Sequence, residues 1–575
     1  MRLNTWLICV VIFILCADVK AQTESFSPKR IVNVNNAAGR FRHPFAMVMG
    51  SDDSLWITER RGYVTKMSTL NGGKHQLLDI SQQVRFTVSG TTIKQDGMFG
   101  IALHPELNKG TGNDYVYVAY CYDSSSFRRV RIVRYTYNRS TPSLSNPVVL
   151  LKGIYGSDDH NAGRLIIGNY GTSAIPDYKI LYSVGDQGNN QFANACDSIE
   201  SQYIPTSAQL LAGEYRRYAG KILRLNLDGS IPSDNPVING IRSYVFSYGH
   251  RNPQGMAFEK DNNNQIIANG ILYESEQGPA TDDEVNIIEG GKNYGWPRVA
   301  GMKDNGWYKY YKWAGTANCG SYPGECSSQM TNLGLLESSF SSPDYKDPIF
   351  DMFNATPPGG TACNWLTNPT LAPSSIAYYP FNNKIPGWGR SLLMPTLKAS
   401  AVYRLKLNEA GNGSLSVTDS IVEYFKETAL NRYRDIVIAN DGITFYLLTD
   451  SVGATSGPTA GQNGGVTDRG CVLEYKYVGA VLNLPNDTSI NAPLQKFVKI
   501  FPNPTSDYIK IEAGNKIAKP VHYDIYDIRG VKILSGLSRQ VITTIALNRL
   551  PTGVYLIKLY NRHNVLVSTQ KVIKT

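Results

Sequence analysis

Apolar positions in this chain come in short runs, some alternating with polar residues and some continuous, and nearly every run is bounded by Gly, Asn, Asp or Pro. Helical 3.6-residue periodicity is scarce, so the pattern predicts strands joined by turns. One plan recurs along the chain: a strand of small and apolar residues, a polar turn, a second strand ending in a polar residue, then a third. It reads in His43–Met67, Met98–Tyr122, Ala162–Asp186, Gly255–Glu276, Ser374–Leu397 and Arg434–Asp450. Six imperfect repeats of three or four strands predict an all-β protein built as a six-bladed β-propeller. A pair of β-sandwiches is the alternative, and the number of repeats favours the propeller. In such a fold the loops at one end of the central channel converge, so motifs far apart in sequence share one cavity.

The character changes after Tyr477. The stretch Val481 to Pro493 is rich in Asn and Pro and reads as a linker, and a compact β pattern follows in Val498–Glu512, Tyr523–Gly536 and Leu550–Lys574. PNP, the DIRG turn and LPTGVY, in that order, resemble the C-terminal sorting domain of cargo of the type IX secretion system. That resemblance implies a small β-sandwich read by the secretion machinery at the outer membrane. At the other end, Arg2, the apolar run Trp6 to Cys16 and Val19-Lys20-Ala21 have the form of a secretory signal peptide cut near Ala21–Gln22. A lipoprotein signal at Cys16 is disfavoured because Leu15 is large. The expected organisation is a signal peptide over 1–21, a propeller over 22–478, a linker over 479–497 and a sorting domain over 498–575. The expected product is soluble and secreted or held at the cell surface.

Charge changes this picture little. The net charge of +10 is spread over 575 residues without a Lys/Arg block, which argues against nucleic acid as a partner. Six cysteines follow the leader: Cys121, Cys196, Cys319, Cys326, Cys363 and Cys471. Export permits disulfides, and Cys319 with Cys326, in a Gly/Pro-rich loop, is the expected pair. No CxxC is present, so a thiolate zinc site is not expected.

Four polar motifs follow or abut strand-like stretches: DHNAGR (Asp159–Arg164), GDQGNNQ (Gly185–Gln191), GHRNPQG (Gly249–Gly255) and SEQGPATDDE (Ser275–Glu284). Loops on a rigid scaffold are where binding and catalytic groups concentrate. His160 is the candidate base, and a neighbouring carboxylate such as Asp159 can orient it. His43 and His104 precede Pro in the repeats and look structural, and His250 is expected to brace its loop. Arg251 and Asn252 offer a fixed cation and an amide. Arg432 and Arg434, two apart and so on one face of a strand, with Lys398, form a second cationic group suited to carboxylates. The bland alternative for these arginines is salt bridges to Asp435 or Asp450. Gly278 and Pro279 can turn carbonyls towards a hard cation, and Glu284, with Asp283 and Asp304, can serve another. A solvated acidic loop is the alternative there. GxSxG, P-loop and HExxH motifs are missing, as is GxGxxG after the first strand, so hydrolase and nucleotide readings lack support.

The stretch from about Phe41 to Tyr477 resembles the soluble quinoprotein glucose dehydrogenases, which use pyrroloquinoline quinone (PQQ). The shared motifs, in family order, are QDGMFGIALHP, DDHNAGRL, GDQGNNQ, YAGKILRLNLDGSIPSDNP, YGHRNPQGMAF, SEQGPATDDEVN, GGKNYGWPRVAG, PTLAPSS and NRYRD. The resemblance implies a six-bladed propeller that oxidises the C1 hydroxyl of glucose or another aldose to the lactone, passing electrons to an external acceptor. It makes His160 the base, Asp159 and Asp186 its acidic neighbours, and Arg251 the cation beside the oxygen on which charge develops. It assigns Arg251, Asn252, Thr370, Lys398, Arg432 and Arg434 to PQQ, and Gln95 and Gln191 to the sugar. Gly278 and Pro279 would hold the calcium ion (Ca2+) at PQQ. Glu284, Tyr294, Ala300, Asp304 and Glu337 would hold a structural one, Tyr294 and Ala300 through main-chain oxygens. A homodimer is also implied.

Two departures bear on the sugar. Phe192 follows Gln191 where the family's glucose dehydrogenase has Leu. The wall before PTLAPSS reads CNWLTN, with Trp365 three residues early and Cys363 out of register with the family disulfide. Cofactor and metal ligands match the family, whereas the sugar-facing rim does not. Related dehydrogenases for other sugars or alcohols, and a non-catalytic binding propeller, are the competing readings.

Overall fold

A computed structural model describes residues 20–21, 24–31, 39–89, 92–324, 326–352, 356–357, 368–408, 421–426, 431–451, 468–479, 498–513, 521–527, 532–538, 540–560 and 566–575. The leader before residue 20, nearly all of the expected linker, and Cys363 and Trp365 lie outside them. The chain divides into two compact units, 1–482 and 483–575.

The first unit is all-β apart from a few short helical turns such as Ser207–Leu211 and Ser328–Leu333. Its main secondary structure, among the described residues, is six sheets of four or five strands. In chain order their first strands are Pro44–Met49, Met98–Leu103, Ala162–Asn169, Pro253–Phe258, Ala377–Tyr379 and Tyr433–Ile438. Each repeat seen in the sequence supplies most or all of the first two strands of one sheet. Within each of the six the strands are antiparallel, and only the Lys20–Ala21 edge of the fifth pairs in parallel, with Val422 and Glu423. The sixth sheet is completed by the N-terminal strand Phe26–Arg30, which pairs with Val472–Tyr477.

The first strands meet one another in sequence order, and Tyr433–Ile438 returns to Pro44–Met49. Apolar clusters fill the spaces between consecutive sheets. One joins the first three, others lie between the third and fourth, fourth and fifth, and fifth and sixth, and a cluster with Met47, Ile57, Val437 and Leu448 joins sixth to first. Sheets covered on both faces lose strict alternation, so Ser54–Glu59 and Thr444–Thr449 are buried throughout, while the outermost Phe26–Arg30 is largely exposed. This is why the sequence shows continuous apolar runs as well as alternating ones.

Where the first strands meet, a buried ion pair ties five sheets. Arg164 donates to Asp435 (2.8 Å), Gln254 O (2.9 Å) and Ser374 O (3.0 Å), and Asp435 also accepts from Met47 N and Ser375 Oγ. Asp435 is therefore spoken for by Arg164 and not by Arg432 or Arg434. A buried pair of this kind is tolerable only because nearly every lone pair has a donor.

The cysteine expectation is overturned. Cys319 is bonded to Cys196, 123 residues away, with Cα atoms 5.0 Å apart. Cys326 is in a disulfide as well, while Cys121 and Cys471 are buried thiols. Proximity in sequence misled, because the fold lays the Cys319 loop on the turn that follows Phe192.

The second unit has a three-stranded sheet, Val498–Phe501, Tyr508–Ala513 and Ile542–Ala546, and a four-stranded one, Val521–Tyr526, Lys532–Ser538, Gly553–Tyr560 and Leu566–Lys574. Ile509 and Ile511 from the first, and Val521, Ile525, Ile557, Leu559 and Val572 from the second, lie in one buried cluster. Their every-other-residue spacing is the half-buried strand pattern.

Candidate active site

The sequence motifs meet at one end of the six sheets, where each first strand begins and each second strand ends. His160 precedes the third sheet, in a backbone conformation with φ +41°. Gln187, Asn190 and Phe192, in the turn beside it, have φ values of +70°, +65° and +43°. Non-glycine residues in this left-handed region carry strain, and such strain gathers at functional sites. Gly185 lets the two loops touch: a Cβ there would stand 2.0 Å from His160 O.

His160 is buried, and its Nδ1 lies 2.8 Å from Asp186 Oδ1. Asp186 is fixed in turn by Trp296 Nε1 (2.9 Å) and Gly188 N (2.9 Å). A carboxylate at Nδ1 demands a proton there, so the lone pair of the neutral ring is at Nε2. Nε2 faces Gln191 Nε2 at 3.4 Å and Asp159 Oδ1 at 3.9 Å. Asp159 is thus a lateral neighbour held by Gln95 Nε2 and the His160 amide, and Asp186 is the orienting carboxylate. Gln191 Oε1 accepts from Arg251 Nη2 at 3.3 Å, so one amide bridges the imidazole and the guanidinium. Phe192, beyond it, is 53% exposed.

Arg251 lies over the Trp296 ring and donates to Gln277 O. Its loop is braced from below, where Glu276 accepts from the amides of Arg251 and Asn252 and from His250, whose ring stacks on Tyr294. Asn252 Nδ2 donates to Gln277 Oε1. Gly278 follows, in a turn so tight that a Cβ would lie 2.0 Å from Thr281 O. Pro279 lines a cleft with Gln191 and Trp296.

Asp283 does not join the acidic group expected of it. Its carboxylate accepts the amides of Gly278, Leu371 and Ala372, and burial raises its pKa to about 6. It ties the Gly278 turn to Thr370, whose hydroxyl accepts from Lys398 Nζ at 3.0 Å. Burial pulls the Lys398 ammonium down to about 8, against the attraction of Asp283.

Arg432 Nη1 reaches Leu397 O, beside Lys398. Arg432 and Arg434 both face Asp450, at 3.7 and 2.7 Å. A third guanidinium, Arg60, was not singled out in the sequence. It is buried, donates to Asp96 O, and interacts with Arg434 and Asp450. Burial lowers Arg60 and Arg432 to about 10. Burial opposes ionisation of Asp450, yet Arg434, Arg432 and Arg60 hold it at about 2. Three guanidiniums thus share the Asp450 carboxylate, while the Lys398 ammonium faces Asp283, and Arg434 Nε has no hydrogen-bond partner among the described residues.

A second group lies behind the Gly278 turn. Glu284 accepts from Gly301 N, and Glu337 from Ala300 N and Asn305 N. Tyr294 turns its hydroxyl to Ile287 O, and Asp304 is exposed with its carboxylate on Gly306 N. Two further acids belong here that the sequence reading did not assign. Asp351 lies directly across from Glu284 in the sheet, and Asp282 is buried beside it. Burial, then Asp351, Glu337 and Asp304, raises Asp282 to about 9. Burial also raises Glu337 to about 7 and Asp351 above the usual range, and burial and Glu276 carry Glu284 well above it. Packed carboxyls of this kind, some also bonded to backbone amides, have the oxygen chemistry that suits a hard cation.

The chain matches the family model described as Glucose / Sorbosone dehydrogenase over residues 41–314 and 340–456, and that of the Secretion system C-terminal sorting domain over 499–575. It is 35% identical over 475 residues to quinoprotein glucose dehydrogenase B of Acinetobacter calcoaceticus, covering 80% of this chain and 92% of that protein. It is 26% identical over 448 residues to the aldose sugar dehydrogenase YliI of Escherichia coli, covering 73% and 91%. The apo-form crystal structure of the soluble aldose sugar dehydrogenase of Escherichia coli superposes with a TM-score of 0.51 at 19% identity, covering 79% of this chain and all of that one. With most of both chains aligned, the residues around His160 sit in a framework common to sugar dehydrogenases. This chain belongs to the glucose/sorbosone dehydrogenase family and carries a secretion-system C-terminal sorting domain at its end.

Proposed function

We propose that this chain is an exported aldose dehydrogenase that depends on PQQ and calcium. It oxidises the C1 hydroxyl of glucose or another aldose to the lactone and delivers the electrons to an external acceptor. The observation that carries the reading is the His160–Asp186 pair, joined through Gln191 to Arg251, at the same end of the sheets as the cationic side chains of Arg432, Arg434 and Lys398. The cyclic meeting of the six first strands favours a six-bladed propeller, and the shared core of the tail's two sheets favours a β-sandwich. The residues fit the cofactor, since a tricarboxylate requires cations and the guanidiniums of Arg60, Arg432 and Arg434 outnumber Asp450, the carboxylate they share.

Asn252, Thr370, Lys398, Arg432 and Arg434 would hold PQQ, and the carbonyls of Gly278 and Pro279 would hold its calcium. Bound there, PQQ supplies a two-electron acceptor for the C1 hydride. His160 Nε2 removes the hydroxyl proton as the hydride leaves, and Asp186 stabilises the imidazolium that forms. Arg251 presents a fixed, buried cation, where preorganised charge is most effective. Gln191 and Gln95 orient the sugar. Glu284, Glu337, Asp304 and the main chain of Tyr294 and Ala300, with Asp282 and Asp351, would hold a second calcium. The C-terminal unit addresses the chain to the type IX secretion machinery.

Dye-coupled glucose oxidation with and without added PQQ and Ca2+ tests this. Activity requires both, and a protein that neither binds PQQ nor oxidises any sugar ends the assignment. Binding of PQQ weakens as pH rises through about 8, because Lys398 is cationic below that value and neutral above it. Lys398→Met lowers affinity roughly 10- to 100-fold at neutral pH, the worth of a charged hydrogen bond, and flattens the profile. An unchanged pH profile in the variant would acquit Lys398. A chain ending at residue 478 retains its kcat but is no longer exported from the producing cell, as fractionation would reveal. Loss of activity in the purified short chain would place the tail within the catalytic fold.

A further inference from the structure

His250 and Glu276, which brace the Arg251 loop, belong to a larger buried group. Glu274 and Glu276 are two apart on the strand Leu272–Glu276 and so share one face. Among the described residues, one ligand atom from each of His250, Glu274 and Glu276 lies within 4.8 Å of the other two, and all three residues are buried. His250 Nδ1 stands 3.1 Å from Glu276 Oε1. Two donors on one ion, each about 2.1 Å from it, stand roughly 3.0–3.4 Å apart. Each of the three residues has its second polar atom held from outside the group. His250 Nε2 faces Ser247 Oγ at 2.9 Å, Glu276 Oε2 accepts the amides of Arg251 and Asn252, and Glu274 Oε2 accepts from Asn286 Nδ2 at 3.0 Å. Glu274 Oε1, by contrast, is buried with no hydrogen-bond partner among the described residues, and so is Asn286 Oδ1.

We propose that His250 Nδ1, Glu276 Oε1 and Glu274 Oε1 bind a divalent first-row transition ion such as Zn2+ or Mn2+, at a position separate from both calcium ions of the proposed function. A buried carboxylate oxygen without a donor is costly, and a proton on Glu274 Oε1 would itself find no acceptor among the described residues. A divalent ion takes the free lone pair and balances the charges of Glu274 and Glu276 together. The imidazole decides the class of ion, because calcium takes oxygen ligands, whereas nitrogen joined with carboxylate oxygen suits a transition ion. Ligands of such ions are oriented by hydrogen bonds on their far atoms, and Ser247, Asn286 and the two amides supply those bonds here. When the ion enters, the ring proton moves from Nδ1 to Nε2, where Ser247 Oγ accepts it. Glu276 also carries Arg251 N and Asn252 N, so the ion stiffens the loop that presents the fixed cation.

Elemental mass spectrometry of the full chain, purified from medium with added Zn2+ and Mn2+, tests this without PQQ or sugar, so the result is independent of the proposed function. Wild type carries about one transition ion per chain. Glu274→Gln keeps an oxygen for Asn286 Nδ2 but puts an NH₂ group in place of the free oxygen, and it loses that ion. Asp282→Asn with Asp351→Asn retains it, because those acids belong to the calcium group. Wild type without a transition ion overturns the inference, and so does an equal content in a folded Glu274→Gln, which would make the ion adventitious. An ion lost from the Asp282 and Asp351 double variant but kept in Glu274→Gln would assign it to the calcium group instead. A second measurement needs no substitution: protein grown with Co2+ shows visible d–d absorption and ring-proton NMR signals shifted by a cobalt-bound imidazole. Cobalt content without an imidazole signature overturns the inference as well.

Discussion

His160→Ala abolishes sugar oxidation while PQQ is still taken up, because the imidazole removes a proton and is not among the residues that would hold the cofactor. General-base removal costs about 10²- to 10⁴-fold in rate, enough to bring turnover near the blank of a dye assay. The sharper variant is Asp186→Asn. Its amide keeps the size of the carboxylate and, through its oxygen, the bond from Trp296 Nε1, while its NH₂ group takes the place of Oδ1, gives up the bond from Gly188 N, faces Nδ1 and drives the imidazole proton to Nε2. The base then holds a proton where it needs a lone pair, and kcat falls on the order of 10³- to 10⁴-fold with little change in KM. Asp159→Asn, by contrast, leaves the tautomer alone, since Asp159 lies 3.9 Å from Nε2 and makes no bond to Nδ1. Titration of the cofactor absorbance in each variant separates lost chemistry from lost binding. Full activity in His160→Ala would remove His160 from the mechanism, and equal losses in the two Asp variants would refute the tautomer argument.

The sequence carries the plan of the sheets openly, because turn residues and apolar runs are local signals. Each of the six repeats supplies strands that pair with each other. The site motifs are legible for the same reason: DHNAGR, GDQGNNQ and GHRNPQG each sit at a strand end, and the fold gathers strand ends. What stays hidden depends on partners distant in the chain. Arg60, in TERRG, looks like any exposed basic turn until Asp96 O and Asp450 are brought to it. Asp159 and Asp186 both read as acidic neighbours of His160, and only the 2.8 Å contact to Nδ1 makes Asp186, and not the sequence neighbour Asp159, the orienting one. Asp351 becomes relevant only through the strand register that sets it opposite Glu284. The Asp282-Asp283-Glu284 triplet divides across the strand, Asp283 towards Thr370 and Asp282 towards Asp351, which its composition alone does not reveal. The Cys196–Cys319 bond is the same lesson, 123 residues long.

Calcium added to chelator-treated protein raises its Tm by roughly 5–10 °C and displaces about one to two protons at neutral pH. The cause is the carboxyl group of Asp282, Glu284, Glu337 and Asp351. Two acids face each other across a strand pair, a destabilising arrangement unless a proton or a cation lies between them. In the metal-free protein that role falls to protons, because burial raises Asp282 to about 9 and Glu337 to about 7. Both folded values lie above the unfolded ones, so the folded chain binds more protons than the unfolded chain. Their contribution to metal-free stability is then greatest below about pH 4, and it is lost as pH rises through 7 and then 9. Calcium replaces the protons and removes this slope, so its stabilisation grows from pH 6 to 9. Asp282→Asn with Asp351→Asn weakens both the pH slope and the calcium response, and it makes the metal-free protein more stable than wild type above pH 8. Melting curves in chelator and in calcium across that range, with calorimetry in two buffers of different ionisation enthalpy to count protons, measure each part. A Tm indifferent to calcium from pH 6 to 9, with no proton displaced, would show that these acids hold protons and not a cation.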